Sequence, residues 1–141
     1  MTTFRRFIQA IRDYYRTGKT GDIAFLKTAL LGRGASRSVK HKLQALGDYA
    51  PEIDLAQLRH MPAGTLGYAY AQHMERAGIQ PLRISPDLQA AAQRSPFGRR
   101  YTATHDILHV LLGFDTSYAG EMGIYAFTVA QGFSRYLTLS V

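Results

Sequence analysis

A chain of 141 residues with 46% hydrophobic content is long enough to bury a core without covalent staples. The absence of cysteine excludes disulfides, thiolate metal ligands and a cysteine nucleophile. The formal charge of +7 sits at the front, since residues 1–42 carry ten Lys and Arg against Asp13 and Asp22, a net +8, and the remaining residues carry −1. Such a basic face fits an anionic partner: a lipid surface, a nucleic acid or an acidic protein. No apolar run approaches the ~18 residues of a membrane span. Charges recurring through the first turns argue against a secretory signal, whereas the Arg-rich, acid-poor start is similar to an organelle transit peptide.

In chain order, Phe4, Phe7, Ile8, Ile11 and Tyr15 recur at helical spacing among Arg5, Arg6, Arg12 and Arg16, predicting a basic amphipathic helix that ends near Gly18. Asp22 is placed to cap a second helix over Ile23–Leu31, closed by Gly32. Ser36 or Ser38 starts a third, reaching Leu46 before Gly47. Pro51 and Asp54 frame a short helix through Leu58, stopped by Pro62. Thr65 opens a helix over Leu66–Ala77 with Gly78 as its stop. Ser85-Pro86-Asp87 starts another that runs to about Arg94, broken by Pro96 and Gly98. A helix from Arg99 to Leu112 ends at Gly113, and Thr116 or Ser117 caps a final helix through about Tyr136. No stretch alternates as a strand with hairpin turns, so the predicted class is all-α, a multi-helix single domain over 1–141.

The chemistry concentrates in the last two helices. His105 and His109 are four apart and share one helix face, the spacing at which two imidazoles reach one metal ion. Asp106 flanks them, and Glu121 follows His109 after eleven residues. The loop from Gly113 to Ser117 is short, which predicts an antiparallel hairpin that brings Glu121 to the two histidines. Tyr125 and Thr128 share the Glu121 face. His105, Asp106, His109 and Glu121 thus form the candidate metal and catalytic set, borderline-hard and suited to zinc, with iron, cobalt or manganese as other choices. His41, His60 and His73 are read as ordinary surface or core residues.

Two hydrolytic alternatives share the pattern. His105-Asp106-x-x-His109 is the zinc-peptidase signature with aspartate in the glutamate slot, but aspartate is a methylene too short to reach a metal-held water. No edge strand is predicted to bind an extended peptide. A metal phosphohydrolase would need further histidine and aspartate ligands that find no place here. Nucleic acid is not expected as a partner, because the basic residues are not interleaved with an aromatic stacking platform.

The chain resembles the Coq-four family of ubiquinone (coenzyme Q) biosynthesis proteins. The signature His-Asp-x-x-His, eleven residues, Glu is met by His105, Asp106, His109 and Glu121, with Arg100-Tyr101 similar to the lead-in. Met61-Pro62-Ala63-Gly64-Thr65-Leu66-Gly67, Tyr70 and Gly78-Ile79-x-Pro81 are similar to an upstream segment, and Gly120-Glu121 and Gln131-Gly132 fit downstream. The resemblance covers about residue 20 to the C-terminus.

That resemblance implies an all-helical protein with a divalent metal, usually zinc, beside an apolar tunnel for a polyprenyl chain. It implies peripheral membrane attachment, on the cytoplasmic inner-membrane face or the matrix side of the mitochondrial inner membrane, and association with other quinone-biosynthesis proteins. The implied chemistry is removal of the ring carboxylate of a polyprenylated hydroxybenzoate with hydroxylation of carbon 1; a non-catalytic lipid-binding scaffold is the other reading. Arg99 or Arg100 could pair with that carboxylate, with Tyr101 and Tyr125 lining the substrate site. Family members continue for several helices past Val141, so a short member, or a partner subunit completing the pocket, is expected. Apolar surface around Tyr125, Phe127 and Phe133 then favours a homodimer or membrane contact.

Overall fold

The computed structural model describes residues 5, 8, 9, 11, 12, 20–47 and 52–138. Of the expected N-terminal helix, Arg5, Ile8, Gln9, Ile11 and Arg12 are described, each with helical backbone; its other residues, and Pro51, lie outside that set.

The helices are α1 (Thr20–Leu31), α2 (Arg37–Ala45), α3 (Leu55–Arg59), α4 (Leu66–Ala77), α5 (Gln89–Gln93), α6 (Pro96–Leu112), α7 (Tyr118–Ala130) and α8 (Arg135–Thr138). Short 3-10 turns at Gly32–Gly34 and Pro86–Leu88 complete them. No strand occurs among the described residues, where an isolated antiparallel bridge joins Ala35 to Ser134. The predicted all-α class holds.

Capping residues set most boundaries. Ser36 accepts from the Val39 N–H, Asp54 from Ala56 and Gln57, Thr65 from Tyr68, and Ser117 from Gly120. Each side-chain oxygen satisfies an amide that the helix itself leaves unpaired.

Several predicted boundaries move, each for a tertiary reason. The first described long helix begins at Thr20, so Asp22 is not its cap. Its carboxylate instead accepts the Ser85 N–H at 2.8 Å and the Ser85 hydroxyl at 2.6 Å, pinning the loop before α5 to α1. Gly32 lies in a 3-10 turn that continues the chain past Leu31 rather than closing it off. The helix expected from Ser85 is divided into the 3-10 turn at Pro86–Leu88 and α5.

α6 starts at Pro96 and not at Arg99, because proline is preorganised for the first helical turn, and Gly98 lies inside the helix. The glycine is a contact residue: a Cβ there would stand 2.8 Å from the Ala29 Cα and N of α1. The last helix stops at Ala130 instead of reaching Tyr136. Gly132 takes a left-handed φ of 63°. Ser134 donates its hydroxyl to the Leu31 carbonyl and so ties the start of α8 to the end of α1.

Phe25 and Leu26 of α1 pack with Leu88 and Ala92, covered by Ile23, Ala29, Ile84 and Ala91. Burying each of the two large side chains contributes roughly 1.5–3 kcal/mol. Where α1 crosses α6, Thr28 and Thr102 are buried with their hydroxyls 3.2 Å apart, and Thr102 donates to the Gly98 carbonyl at 2.8 Å. From the other side α4 buries Tyr70, Ala71 and Met74 and packs against α6. α6 is thus held on two sides by buried contacts, and its histidines sit on a fixed support.

Candidate metal centre and its cavity

Gly113 ends α6 in the left-handed conformation, φ 72°, where an L side chain would be strained. The Phe114 N–H then returns to the His109 carbonyl at 3.1 Å. The Ser117 N–H and hydroxyl both donate to Asp115, and α7 begins. Gly123 lies under the Phe114 ring, where a Cβ would meet it at 2.7 Å. This closure is the predicted hairpin, and it carries Glu121 in the first turn of α7 to the end of α6.

The result is a three-residue cluster. His105 Nε2 lies 3.4 Å from Glu121 Oε2, and His109 Nε2 lies 3.3 Å from Glu121 Oε1. Each residue offers a ligand atom, and all three atoms lie within 4.8 Å of one another. The two imidazoles meet edge to face with centroids 5.0 Å apart. His109 is 1% exposed, whereas the Glu121 side chain is 46% exposed. The centre is therefore anchored on the buried side and open on the other.

Hydrogen bonds assign the imidazole roles. His109 Nδ1 lies 3.3 Å from the Phe114 carbonyl, which can only accept, so Nδ1 carries the proton and Nε2 presents its lone pair. His105 Nδ1 lies 3.4 Å from Asp106 Oδ1, the same arrangement with a carboxylate. Both Nε2 lone pairs then face the oxygens of one carboxylate. Contacts of this kind are held by a cation between the two atoms, a metal ion or a proton on Nε2, and the buried His109 Nε2 makes no hydrogen bond. Metal–N and metal–O bonds near 2.0–2.2 Å in a tetrahedron put neighbouring donors about 3.3 Å apart, the range at which each histidine meets a Glu121 oxygen; one donor atom from each residue lies within 4.8 Å of the others. The residues present thus fit a divalent metal, with three protein ligands and room for a fourth.

Asp106 is 9% exposed and stands on the other nitrogen of His105, outside that three-residue group. It occupies the outer position that fixes the ring of a ligating histidine. Tyr70, beside it, has its phenol pushed well above the ordinary range by burial and then by the Asp106 charge.

A cavity of about 510 Å³ adjoins the cluster, lined by His105 and Glu121 together with Ile23, Leu31, Tyr101 and Tyr125. Tyr101 sits against His105, ring centroids 5.8 Å apart, and its phenol hydrogen-bonds Thr128. Burial raises the Tyr101 phenol, an effect that this hydrogen bond partly opposes. Arg100 does not line the cavity. One residue before Tyr101, it is turned about a quarter of the way round the helix, and it donates to the Leu46 carbonyl at 3.4 Å. Arg99 lines a different depression, with Pro81 and Ile84.

The sequence reading missed two kinds of residue. Lys27, Tyr118 and Met122 line the metal cavity, Lys27 from α1, and nothing in the local sequence ties α1 to the histidines. His73, read as an ordinary residue, stacks on His109 at 5.7 Å between centroids, with a buried Nε2 that makes no hydrogen bond. Burial and then the neighbouring His109 lower its proton affinity, against the pull of Asp106.

Comparison with known proteins supplies the context. Residues 49–140 match the family model described as Coenzyme Q (ubiquinone) biosynthesis protein Coq4. The chain is 36% identical over 85 residues to the mitochondrial ubiquinone biosynthesis protein coq4 of Pyrenophora tritici-repentis, covering 56% of this chain and 28% of that protein. Identity is 33% to the Danio rerio homolog and 32% to the Homo sapiens homolog, both named mitochondrial, again over 85 residues, 56% of this chain and 30% of each relative. The chain thus matches less than a third of the length of these relatives. No solved structure matches significantly. The matched stretch includes all of α6 and α7, and the chain belongs to the Coq4 family of coenzyme Q (ubiquinone) biosynthesis proteins.

Proposed function

We propose that this chain holds a divalent metal, zinc before iron, cobalt or manganese, on His105, His109 and Glu121, and uses it on a polyprenylated hydroxybenzoate. Asp106 belongs to the same machinery as the residue that holds His105 in its ligating orientation. The observation that carries this reading is the convergence of two imidazole Nε2 atoms on the oxygens of one carboxylate at 3.4 and 3.3 Å, beside a cavity walled largely by apolar and aromatic side chains.

The reaction is oxidative decarboxylation at ring carbon 1: the carbon–carboxylate bond breaks and carbon dioxide leaves, water supplies the oxygen of the new carbon–oxygen bond, and dioxygen takes up the two electrons and two protons released and leaves as hydrogen peroxide. A metal held by His105, His109 and Glu121 would supply Lewis-acid stabilisation to the oxygens of the ring acid and to the charge left when carbon dioxide leaves. The protein supplies position. Tyr101, fixed through Thr128, and Tyr125 flank the ring, while Ile23, Leu31 and Met122 take the first units of the tail. Among the described residues Lys27 is the Lys or Arg that lines this cavity, and it takes over the carboxylate-pairing role expected of Arg99 or Arg100.

Around this site we place the remaining roles. Residues 1–141 act as one helical domain, and the basic N-terminal segment attaches it to an anionic membrane surface. For the mitochondrial relatives that corresponds to the inner membrane, matrix side; in a bacterial setting it is the cytoplasmic face. Leu111, Phe114, Tyr118 and Met122, all exposed at the hairpin end, offer an apolar face to a second copy or another quinone-biosynthesis protein. No helix among the described residues is long and apolar enough to cross a membrane. Co-sedimentation with anionic vesicles should weaken as salt rises and after deletion of residues 1–16.

A short-tailed prenyl hydroxybenzoate, given to the metal-loaded chain under oxygen, tests the chemistry. Carbon dioxide release by the parent and none by His109→Ala is the expected result. A parent that binds the acid with every divalent ion tried, yet never releases carbon dioxide, would sink the enzymatic reading. The second reading, a non-catalytic lipid-presenting scaffold, would then stand, and it draws on the same apolar cavity.

A further inference from the structure

We propose that a second cavity, bounded by α1, α2 and α6, binds a single-chain anionic amphiphile. Its chain lies over Phe25, Leu43 and Phe97, and its phosphate or carboxylate sits on Arg33, Lys40 and Arg94. This cavity measures about 500 Å³ and shares no lining residue with the metal cavity. α1 separates the two. Ile23, Ala24, Lys27 and Thr28 face the metal side, and Phe25, Leu26, Ala29 and Leu30 face the other.

The occupant follows from the chemistry of the walls. Phe25 and Phe97 are buried, Leu43 is half-buried, and Arg33, Lys40 and Arg94 are exposed. Among the described residues no Asp or Glu lines this cavity. Arg33 and Lys40 also line an adjoining depression with Ser36, Ser134 and Arg135, where again no described lining residue is a carboxylate. Lys40 Nζ donates to the Arg33 carbonyl at 3.4 Å, which holds its ammonium beside the Gly32–Gly34 turn. An apolar floor with an uncompensated cationic rim is complementary to a chain that ends in an anion. The apolar atoms lie in a concavity, out of reach of a flat bilayer surface, and this favours one extracted chain over a membrane plane.

Decyl phosphate below its micelle concentration, titrated into the metal-loaded full chain by calorimetry, tests this. With the metal cavity filled by saturating short-tailed prenyl hydroxybenzoate, one molecule should bind per chain, with inorganic phosphate and decanol each at least about tenfold weaker. R33E/K40E should weaken binding by about tenfold or more, and Leu43→Trp, which fills the groove, should do the same by a different route. Arg59→Glu, at an exposed position on α3 that lines neither cavity, should leave decyl phosphate affinity within about twofold. The proposal is overturned if decyl phosphate does not bind, if decanol or phosphate binds equally well, or if R33E/K40E and L43W both bind like the parent. Phosphatidylglycerol vesicles captured through Arg33 and Lys40, with no binding of free decyl phosphate, would overturn it in favour of a membrane surface.

Discussion

His73 lies nearly flat on His109, the ring planes 18° apart and the centroids 5.7 Å apart, so a residue of α4 fixes the buried ligand of α6. Two variants separate packing from polarity. His73→Phe keeps the stacked ring and removes a buried nitrogen without a partner, so metal affinity should stay within a few-fold and the melting temperature should hold or rise. His73→Ala opens space beside His109; metal affinity should fall about tenfold and the protein should lose roughly 1–3 kcal/mol. Competition with a chromophoric chelator, together with thermal melts, reads both.

Asp106 and Glu121 should differ in kind. Glu121 faces both imidazole Nε2 atoms, so Glu121→Ala should abolish stoichiometric metal binding. Asp106 meets His105 at Nδ1, 3.4 Å away, on the side of the ring turned from Glu121. Asp106→Asn should therefore retain one metal per chain with affinity lowered about 10–100-fold. Elemental analysis of dialysed protein gives the stoichiometry. Equal loss in both variants would place Asp106 among the ligands.

Stability should hinge on the crossing of α1 and α6. A methyl added at Gly98 would press on the Ala29 backbone at 2.8 Å, and backbone cannot rotate aside as a side chain does. Gly98→Ala should destabilise by about 1–3 kcal/mol in denaturant unfolding. Exposed Gly64 has open space around it, but its φ of 89° makes Gly64→Ala unfavourable for a conformational reason instead.

The hairpin loop should respond to acid. Hydrogen bonds from the Ser117 hydroxyl and then the Ser117 N–H hold the Asp115 carboxyl below the usual carboxylate range. Its folded-state value lies below the unfolded one, so the contribution is complete above about pH 3.9 and disappears as pH falls through the folded value. The melting temperature of Asp115→Ala should lie about one or two degrees below the parent near neutrality. That gap should close below pH ~4. The carboxylate is fully exposed, which keeps the effect small.

Much of this could be read from the chain itself. Ser36, Asp54, Thr65 and Ser117 are caps whose side chains act on amides two or three residues away, and local sequence is enough to place them. The four-residue spacing of His105 and His109 fixes a shared face, and a loop as short as Gly113–Ser117 leaves the following helix little choice but to double back. Those two facts bring Glu121 to the histidines. Boundaries failed where a distant partner decides. Gly98 looks like a breaker until Ala29 packs on it, and Asp22 looks like a cap until Ser85 claims its carboxylate.

By itself, then, the sequence determined the all-helical class, the resemblance to the Coq4 family and the spacing that lets His105, His109 and Glu121 converge. Only the tertiary structure decided what surrounds that set. The stacking of His73 on His109, the approach of Lys27 to the metal cavity and the turning of Arg100 toward Leu46 depend on how α1, α2 and α4 settle against α6. Those arrangements follow from side-chain volume and buried hydrogen bonding between elements tens of residues apart, which no local periodicity encodes.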